Sequence, residues 1–388
     1  MRDNKVCFLT SARRHDDTRI YYREAVTLHK AGYDVVIICP DCQTTDSQGI
    51  KFRLADVDRS KHWKKLFLNP FRVLGRAIDE NASVYHFHDP ELCLTGFFLK
   101  LFGKKVVYDV HEDTPRAILV KPWVPAPLRG IVSKLFEGFE LLLSFTFDGI
   151  VASAEAVARR FPKRKTITVG NFPEVAEFPS VIPDFEKRGR IACMIGTIQE
   201  DRGIYDVLDS ARYLDYPILL TGEYASEQVQ KRVEEESRDL PLRSLGFLER
   251  GEVIQLLLRS RVGLAPMHQA EHYQMNLPPK IFEYMICEIP VVASDFSYWR
   301  EILEDSEYGQ CGICVDLEDP KSLAKAVTYL MENEDDAIQM GLNGRRAVLE
   351  RFNWENETQK LLDLYARLLP LSGEKAAPDE ASQASQAL

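Results

Sequence analysis

Short runs of Val, Ile and other apolar residues alternate with helix-length stretches, and the whole alternation occurs twice along the chain. That repeat constrains the fold more than any single motif. Strand patterns lie at 5–10, 34–39, 83–88, 105–109 and 149–152, with a helix pattern over 19–31 that Gly32 ends. The Pro-dotted stretch 171–183 interrupts the rhythm. It resumes with strand patterns at 190–195, 218–221, 262–265 and 291–294, and helix patterns at 204–211, 280–286, 320–331 and 337–350. Parallel strands need crossover connections, so strands alternating with helices build doubly wound sheets covered on both faces. The expected fold class is α/β, with two Rossmann-like domains at 1–172 and 189–352 and a linker at 173–188. An amphipathic helix over 353–369 closes the pattern, and the Ala/Ser/Gln-rich residues 371–388 are expected to be disordered. Two such domains and a linker imply a substrate cleft between them.

At 388 residues the chain exceeds one typical core, which agrees with the repeat. No run of eighteen apolar residues exists, and the apolar part of the N-terminus is too short for a signal peptide. A cytoplasmic protein is expected. Of eight cysteines, Cys39-Pro-Asp-Cys42 and Cys311-Gly-Ile-Cys314 have zinc-like spacing, but neither has a nearby His, so buried or strand-end thiols are the expectation. The net charge of −10 is uneven: residues 1–175 carry 27 Lys+Arg against 21 Asp+Glu, and the remainder 22 against 38. A basic front half on an acidic protein suggests an anionic surface or acceptor on that side.

The stretch Pro279-Lys280-Ile281-Phe282-Glu283-Tyr284-Met285 runs on to Ile289-Pro290-Val291-Val292-Ala293-Ser294. Lys280 and Glu283 are three apart and share a helix face. A cation early in a helix that feeds a strand suits phosphate, and a carboxylate one turn on suits sugar hydroxyls. The alternative is an exposed helix with an ordinary i, i+3 ion pair.

Other motifs fall in a telling order. They are Asp17-Thr18-Arg19-Ile20 followed by Ala31-Gly32-Tyr33-Asp34-Val35, His86-Phe87-His88-Asp89-Pro90-Glu91-Leu92, Tyr108-Asp109-Val110-His111-Glu112, and Gly196-Thr197-Ile198 through Arg202-Gly203. With the 280–294 segment, they make the chain resemble the retaining nucleotide-sugar glycosyltransferases of family 4, of the two-Rossmann-domain (GT-B) type, in a bacterial polysaccharide subgroup. The resemblance spans about residues 5–368. It implies an amino domain that binds the acceptor, a carboxy domain that binds a UDP or GDP sugar, and a last helix that crosses back to the first domain. It also implies no cofactor and no bound metal.

By the same resemblance, Arg202 and Lys280 meet the donor diphosphate, Glu283 holds the ribose hydroxyls, and Gly196 and Thr197 form the donor loop. Two positions depart from the family pattern. Met275 stands at the usual first carboxylate, so Asn276 or His272 is expected to take the sugar contact. Thr197 stands where a basic residue is usual, which leaves more of the phosphate charge to Arg202 and Lys280. His111 corresponds to the family histidine over the reacting sugar, where it positions the acceptor or relays a proton. Glu112, His88 and Asp89 are candidates on the acceptor side, with Asp17 and Arg19 framing it, and His86 is expected to point the other way in its strand. No carboxylate matches a nucleophile, which favours a front-face reaction in which the departing phosphate helps deprotonate the acceptor.

Arg59, Lys61, Lys64, Lys65, Arg72 and Arg76 interleave with Trp63, Phe67 and Phe71, and a second cluster occupies 121–145. Basic residues mixed with aromatics suit a peripheral contact with anionic lipid, whereas an acidic chain without a nucleic-acid motif argues against nucleic acid. The competing reading is a core helix with a solvated basic edge. The leading expectation is a sugar transferase acting on a lipid-linked saccharide at the inner face of the membrane. Its rivals are an epimerase of the same fold and a catalytically reduced sugar-nucleotide-binding protein, which Met275 keeps open.

Overall fold

The computed structural model describes residues 4–42, 46–58, 64, 66, 68–121, 123–268 and 277–371. The chain forms two compact units, one running to Asn171 and taken up again from Glu355, the other Phe172–Trp354.

In the first unit the strands are β1 (Lys5–Leu9), β2 (Asp34–Cys39), β3 (Asp46–Ser47), β4 (Ile50–Leu54), β5 (Val84–Phe87), β6 (Lys105–Val110), β7 (Gly149–Ala152) and β8 (Thr166–Thr168). They form one sheet in the order β3-β4-β2-β1-β5-β6-β7-β8. All neighbours are parallel except the β3–β4 edge hairpin. Parallel strands covered on both faces read as unbroken apolar runs. Val6, Cys7, Phe8 and Leu9 of β1 are accordingly all fully buried. Full burial of each such side chain stabilises the fold by about 1.5–3 kcal/mol. The helix Trp354–Leu368 packs onto this unit, with Tyr365 buried against His86 and Glu357 accepting a hydrogen bond from the Gly170 N–H at 2.8 Å.

In the second unit the strands are β9 (Ala192–Ile195), β10 (Ile218–Thr221), β11 (Leu242–Ser244), β12 (Val262–Ala265), β13 (Val291–Ser294) and β14 (Gly312–Val315). The order β11-β10-β9-β12-β13-β14 is parallel throughout. It reverses direction at β9 and β12, the topological switch point at which ligands of such sheets collect. The β4, β8, β11 and β14 strands go beyond the sequence reading. β4, β8 and β11 interleave charged or polar residues with apolar ones, so no unbroken run marks them.

Gly263 and Gly203 are demanded by close approach. A Cβ on Gly263 would lie 2.4 Å from the Tyr284 ring, and one on Gly203, at φ +75°, would lie 2.1 Å from the Pro266 carbonyl oxygen. The Tyr284 hydroxyl accepts from the Ile195 N–H and donates to the Leu264 carbonyl, both at 3.1 Å. One side chain thus ties the ends of β9 and β12 to the helix Pro279–Ile286.

Candidate active site

In the second unit, the turn after β9 carries Gly196 and Thr197, and the short helical turn Glu200–Arg202 follows. Gly196 adopts φ +100°, and the Arg202 guanidinium lies over it, with one terminal nitrogen 3.6 Å from where a Cβ would stand. Lys280 sits in the first turn of the helix Pro279–Ile286 and is only 7 % exposed. Its Nζ has no hydrogen-bond partner, and neither does Arg202 Nε. Burial, and then the nearby Arg202 charge, push the Lys280 pKa down from 10.5 to about 7. A buried ammonium without a counter-charge is costly. Lys280 and the half-buried Arg202, at the carboxyl end of a parallel sheet, make a site arranged for an anion.

Glu283 is 8 % exposed and makes no ion pair with Lys280; it accepts from the Arg250 guanidinium at 2.9 Å. Arg250 also donates to Glu177 at 2.6 Å. The exposed-helix alternative for this motif therefore fails. Arg250, distant in sequence from Glu283, was invisible to motif reading. Asn276, expected to contact the donor, lies outside the described residues, as do His272 and Met275.

In the first unit, a cavity of about 820 Å³ opens at the carboxyl ends of β1, β5 and β6. His88, Asp89, Glu91, His111 and Glu112 line its polar side, and Ile118, Trp123, Val132 and Phe136 its apolar side. His111 and His88 share a hydrogen bond at 2.9 Å between Nε2 and Nδ1. Burial holds the His111 pKa well below the usual range, which keeps the ring neutral. Asp89 accepts from the Ser11 N–H at 2.6 Å and the Thr10 hydroxyl at 2.8 Å, which fixes the turn after β1. Glu112 is exposed at the cavity wall.

Three expectations change. Asp17 does not line the cavity; it caps a π-helix (Thr18–Ala25), accepting from the Arg19 and Ile20 N–H groups at 3.0 and 3.1 Å. Arg19 is buried, donating to both carboxylate oxygens of Asp109, at 2.9 and 3.2 Å, and to the Val169 carbonyl, so it braces the interior rather than framing an acceptor. His86 points to the same side as His88, with ring centroids 4.8 Å apart, because residues two apart along a strand share a face.

The basic and aromatic segments divide. Arg59, Lys61, Trp63, Lys65 and Phe67 lie outside the described residues, while Lys64 is paired with Asp58 and Arg72 donates to the Asp56 carbonyl. In the second segment, the helix Arg129–Ser144 and its cap expose Ile131, Leu135, Phe139, Leu142 and Phe145 at helical spacing. This stripe faces solvent, so the core-helix alternative does not describe it. Among the described residues, no helix is long and apolar enough to cross a membrane.

Residues 178–347 match the family described as Glycosyl transferases group 1, and residues 18–169 match Glycosyltransferase Family 4. A phosphatidyl-myo-inositol mannosyltransferase of Propionibacterium freudenreichii is 24% identical, over 74% of this chain and 70% of its own length. The D-rhamnosyltransferase WbpZ of Pseudomonas aeruginosa is 23% identical, over 73% of this chain and 72% of its own. Among solved structures, the sucrose-phosphate synthase of Thermosynechococcus elongatus superposes with a TM-score of 0.76 at 18% identity, covering 95% of this chain and 100% of that one. Anabaena HepE in complex with UDP-glucose superposes at 0.72 with 14% identity, covering 93% and 99%.

Proposed function

The chain belongs to the family 4, group 1 glycosyltransferases, and on that premise we propose that it moves a sugar, with retention, from a UDP or GDP sugar to a lipid-linked glycan in surface polysaccharide synthesis. The observation that carries the proposal is the pair of cations, Lys280 Nζ and Arg202 Nε, buried without hydrogen-bond partners beside the Gly196 turn. A diphosphate supplies the missing acceptors and restores the charge on Lys280. The HepE structure, whose ligand is UDP-glucose, supports a uracil nucleotide as the first candidate.

The front-face reaction that the family resemblance implies accords with this charge arrangement. The bond between the sugar anomeric carbon and the diphosphate oxygen breaks, and the negative charge that grows on the leaving oxygen falls to Lys280 and Arg202. The acceptor hydroxyl forms its bond to the same face of the anomeric carbon, and its proton passes to the departing phosphate oxygen. No bound metal is assigned to the diphosphate, because two protein cations already serve it. Glu283, steadied by Arg250, takes the ribose hydroxyls, and His111 orients the acceptor. The apolar wall of the cavity and the exposed stripe of Arg129–Ser144 fit an amphiphilic acceptor presented at an anionic membrane surface.

Thermal-shift titration with UDP, GDP, ADP and their sugars tests the donor half, using the wild type and Glu283→Ala. Near 100 times Kd, a bound nucleotide adds about 2.7 kcal/mol of stability. One nucleotide that stabilises the wild type and not the variant supports the reading; no shift with any of them overturns it.

A further inference from the structure

We propose that Glu24, His86, His88 and Asp109 hold a divalent first-row metal ion, zinc before the others, inside the first unit. This goes beyond glycosyl transfer and concerns a different unit from Lys280 and Arg202, which belong to the second. The four residues come from the π-helix, from β5 and the residue following it, and from β6. None is more than 3 % exposed. One ligand-type atom from each lies within 4.8 Å of all the others.

Three of these atoms, Glu24 Oε2, His86 Nε2 and His88 Nε2, are buried with no hydrogen-bond partner. Each orphaned polar atom of this kind gives up its hydration without a replacement, and a shared cation would satisfy all three at once. Glu24 Oε2 stands 4.0 Å from His86 Nε2 and 3.8 Å from His88 Nε2, and Asp109 Oδ2 stands 3.9 Å from His86 Nε2. A tetrahedral zinc site with bonds of about 2.0–2.1 Å has edges of about 3.4 Å. These three contacts lie about 0.4–0.6 Å outside that edge, and the whole set lies within 4.8 Å, so an inward shift of these side chains by up to about 1 Å closes the cage.

The outer atoms of the ligands are already fixed, as metal sites require. His86 Nδ1 pairs with the Tyr365 hydroxyl at 3.0 Å, and His88 Nδ1 with His111 Nε2 at 2.9 Å. Arg19 holds Asp109 through both oxygens and stands 3.0 Å from Glu24 Oε1, which leaves Glu24 Oε2 turned to the histidines. Asp109 Oδ2 accepts from Arg19 and keeps a second lone pair. Two imidazoles with two carboxylates suit zinc or its first-row neighbours better than magnesium or calcium. Bound there, the ion locks His88, and through it the pocket-lining His111.

The test is elemental analysis of the full chain, purified without chelating resin. The expected result is about one metal equivalent per chain, falling below about a tenth in a Glu24→Gln, His86→Gln double variant that keeps its circular dichroism spectrum. Wild type that holds less than a tenth, both as purified and after dialysis against zinc, overturns the proposal. So does metal retained by the folded double variant. If the variant does not fold, cobalt(II) substitution of the wild type decides. Bands without thiolate charge transfer support the cage, and thiolate bands would assign the metal to the cysteine pairs and overturn it. None of these readouts requires nucleotide, so they stand apart from the donor-binding test.

Discussion

Replacing Lys280 with Met should stabilise the free protein and abolish nucleotide binding, and the stability gain should depend on pH in a defined way. Lys280 is almost wholly buried, and its pKa falls from 10.5 to about 7 on folding. Between those values the unfolded chain binds more protons than the folded one, so wild-type stability rises with pH across that window. At 1.36 kcal/mol for each tenfold change in proton affinity, the fall from 10.5 to about 7 amounts to about 5 kcal/mol of penalty below pH 7. Methionine carries no charge and nearly the same length, so it removes the penalty without leaving a large void. Urea unfolding of both proteins from pH 6 to pH 10 is the measurement. The variant's advantage should be about 4–5 kcal/mol at pH 6, shrink by about 1.4 kcal/mol per unit above pH 7, and fall below about 1 kcal/mol at pH 10. An advantage that does not change with pH, or a variant less stable at pH 6, would refute the reasoning. Calorimetry of UDP binding at pH 8, in buffers of different ionisation enthalpy, supplies an independent arm. The wild type should take up about 0.9 of a proton as the ammonium is restored, and no uptake counts equally against the argument.

His111→Ala should lower kcat by about 10²-fold through lost acceptor positioning while the nucleotide Kd stays within about twofold, because His111 belongs to the other unit from Lys280; steady-state kinetics with calorimetry checks both. Arg19→Ala should destabilise the chain by about 3–5 kcal/mol in urea unfolding, since Asp109 would lose its bidentate partner at zero exposure. Leu135→Asp with Leu142→Asp should abolish sedimentation with anionic vesicles and leave the thermal midpoint in place, because these side chains are 70 % and 67 % exposed. Vesicle binding that survives both changes would remove the stripe from the membrane reading.

What the sequence made legible was whatever a local pattern records. Strands buried on both faces have to be apolar throughout, so β2, β7, β10, β12 and β13 were readable as runs. The Lys280–Glu283 spacing was readable because a helix places residues three apart on one face. Partnerships made across the fold leave no such trace. Glu283 draws Arg250 from 33 positions away, and Arg19 draws Asp109 from 90. A motif therefore announces a charge without saying whether the fold has already answered it, and that distinction separates the two roles found here. Arg19 lies in a recognisable motif, yet both oxygens of Asp109 engage it, so it contributes stability and has nothing left for a ligand. Lys280 lies in an equally recognisable motif with its ammonium unanswered, so it lowers stability until an anion arrives. Function at this site is best read from the cation that folding left unpaired, and motif membership alone did not reveal which one that was.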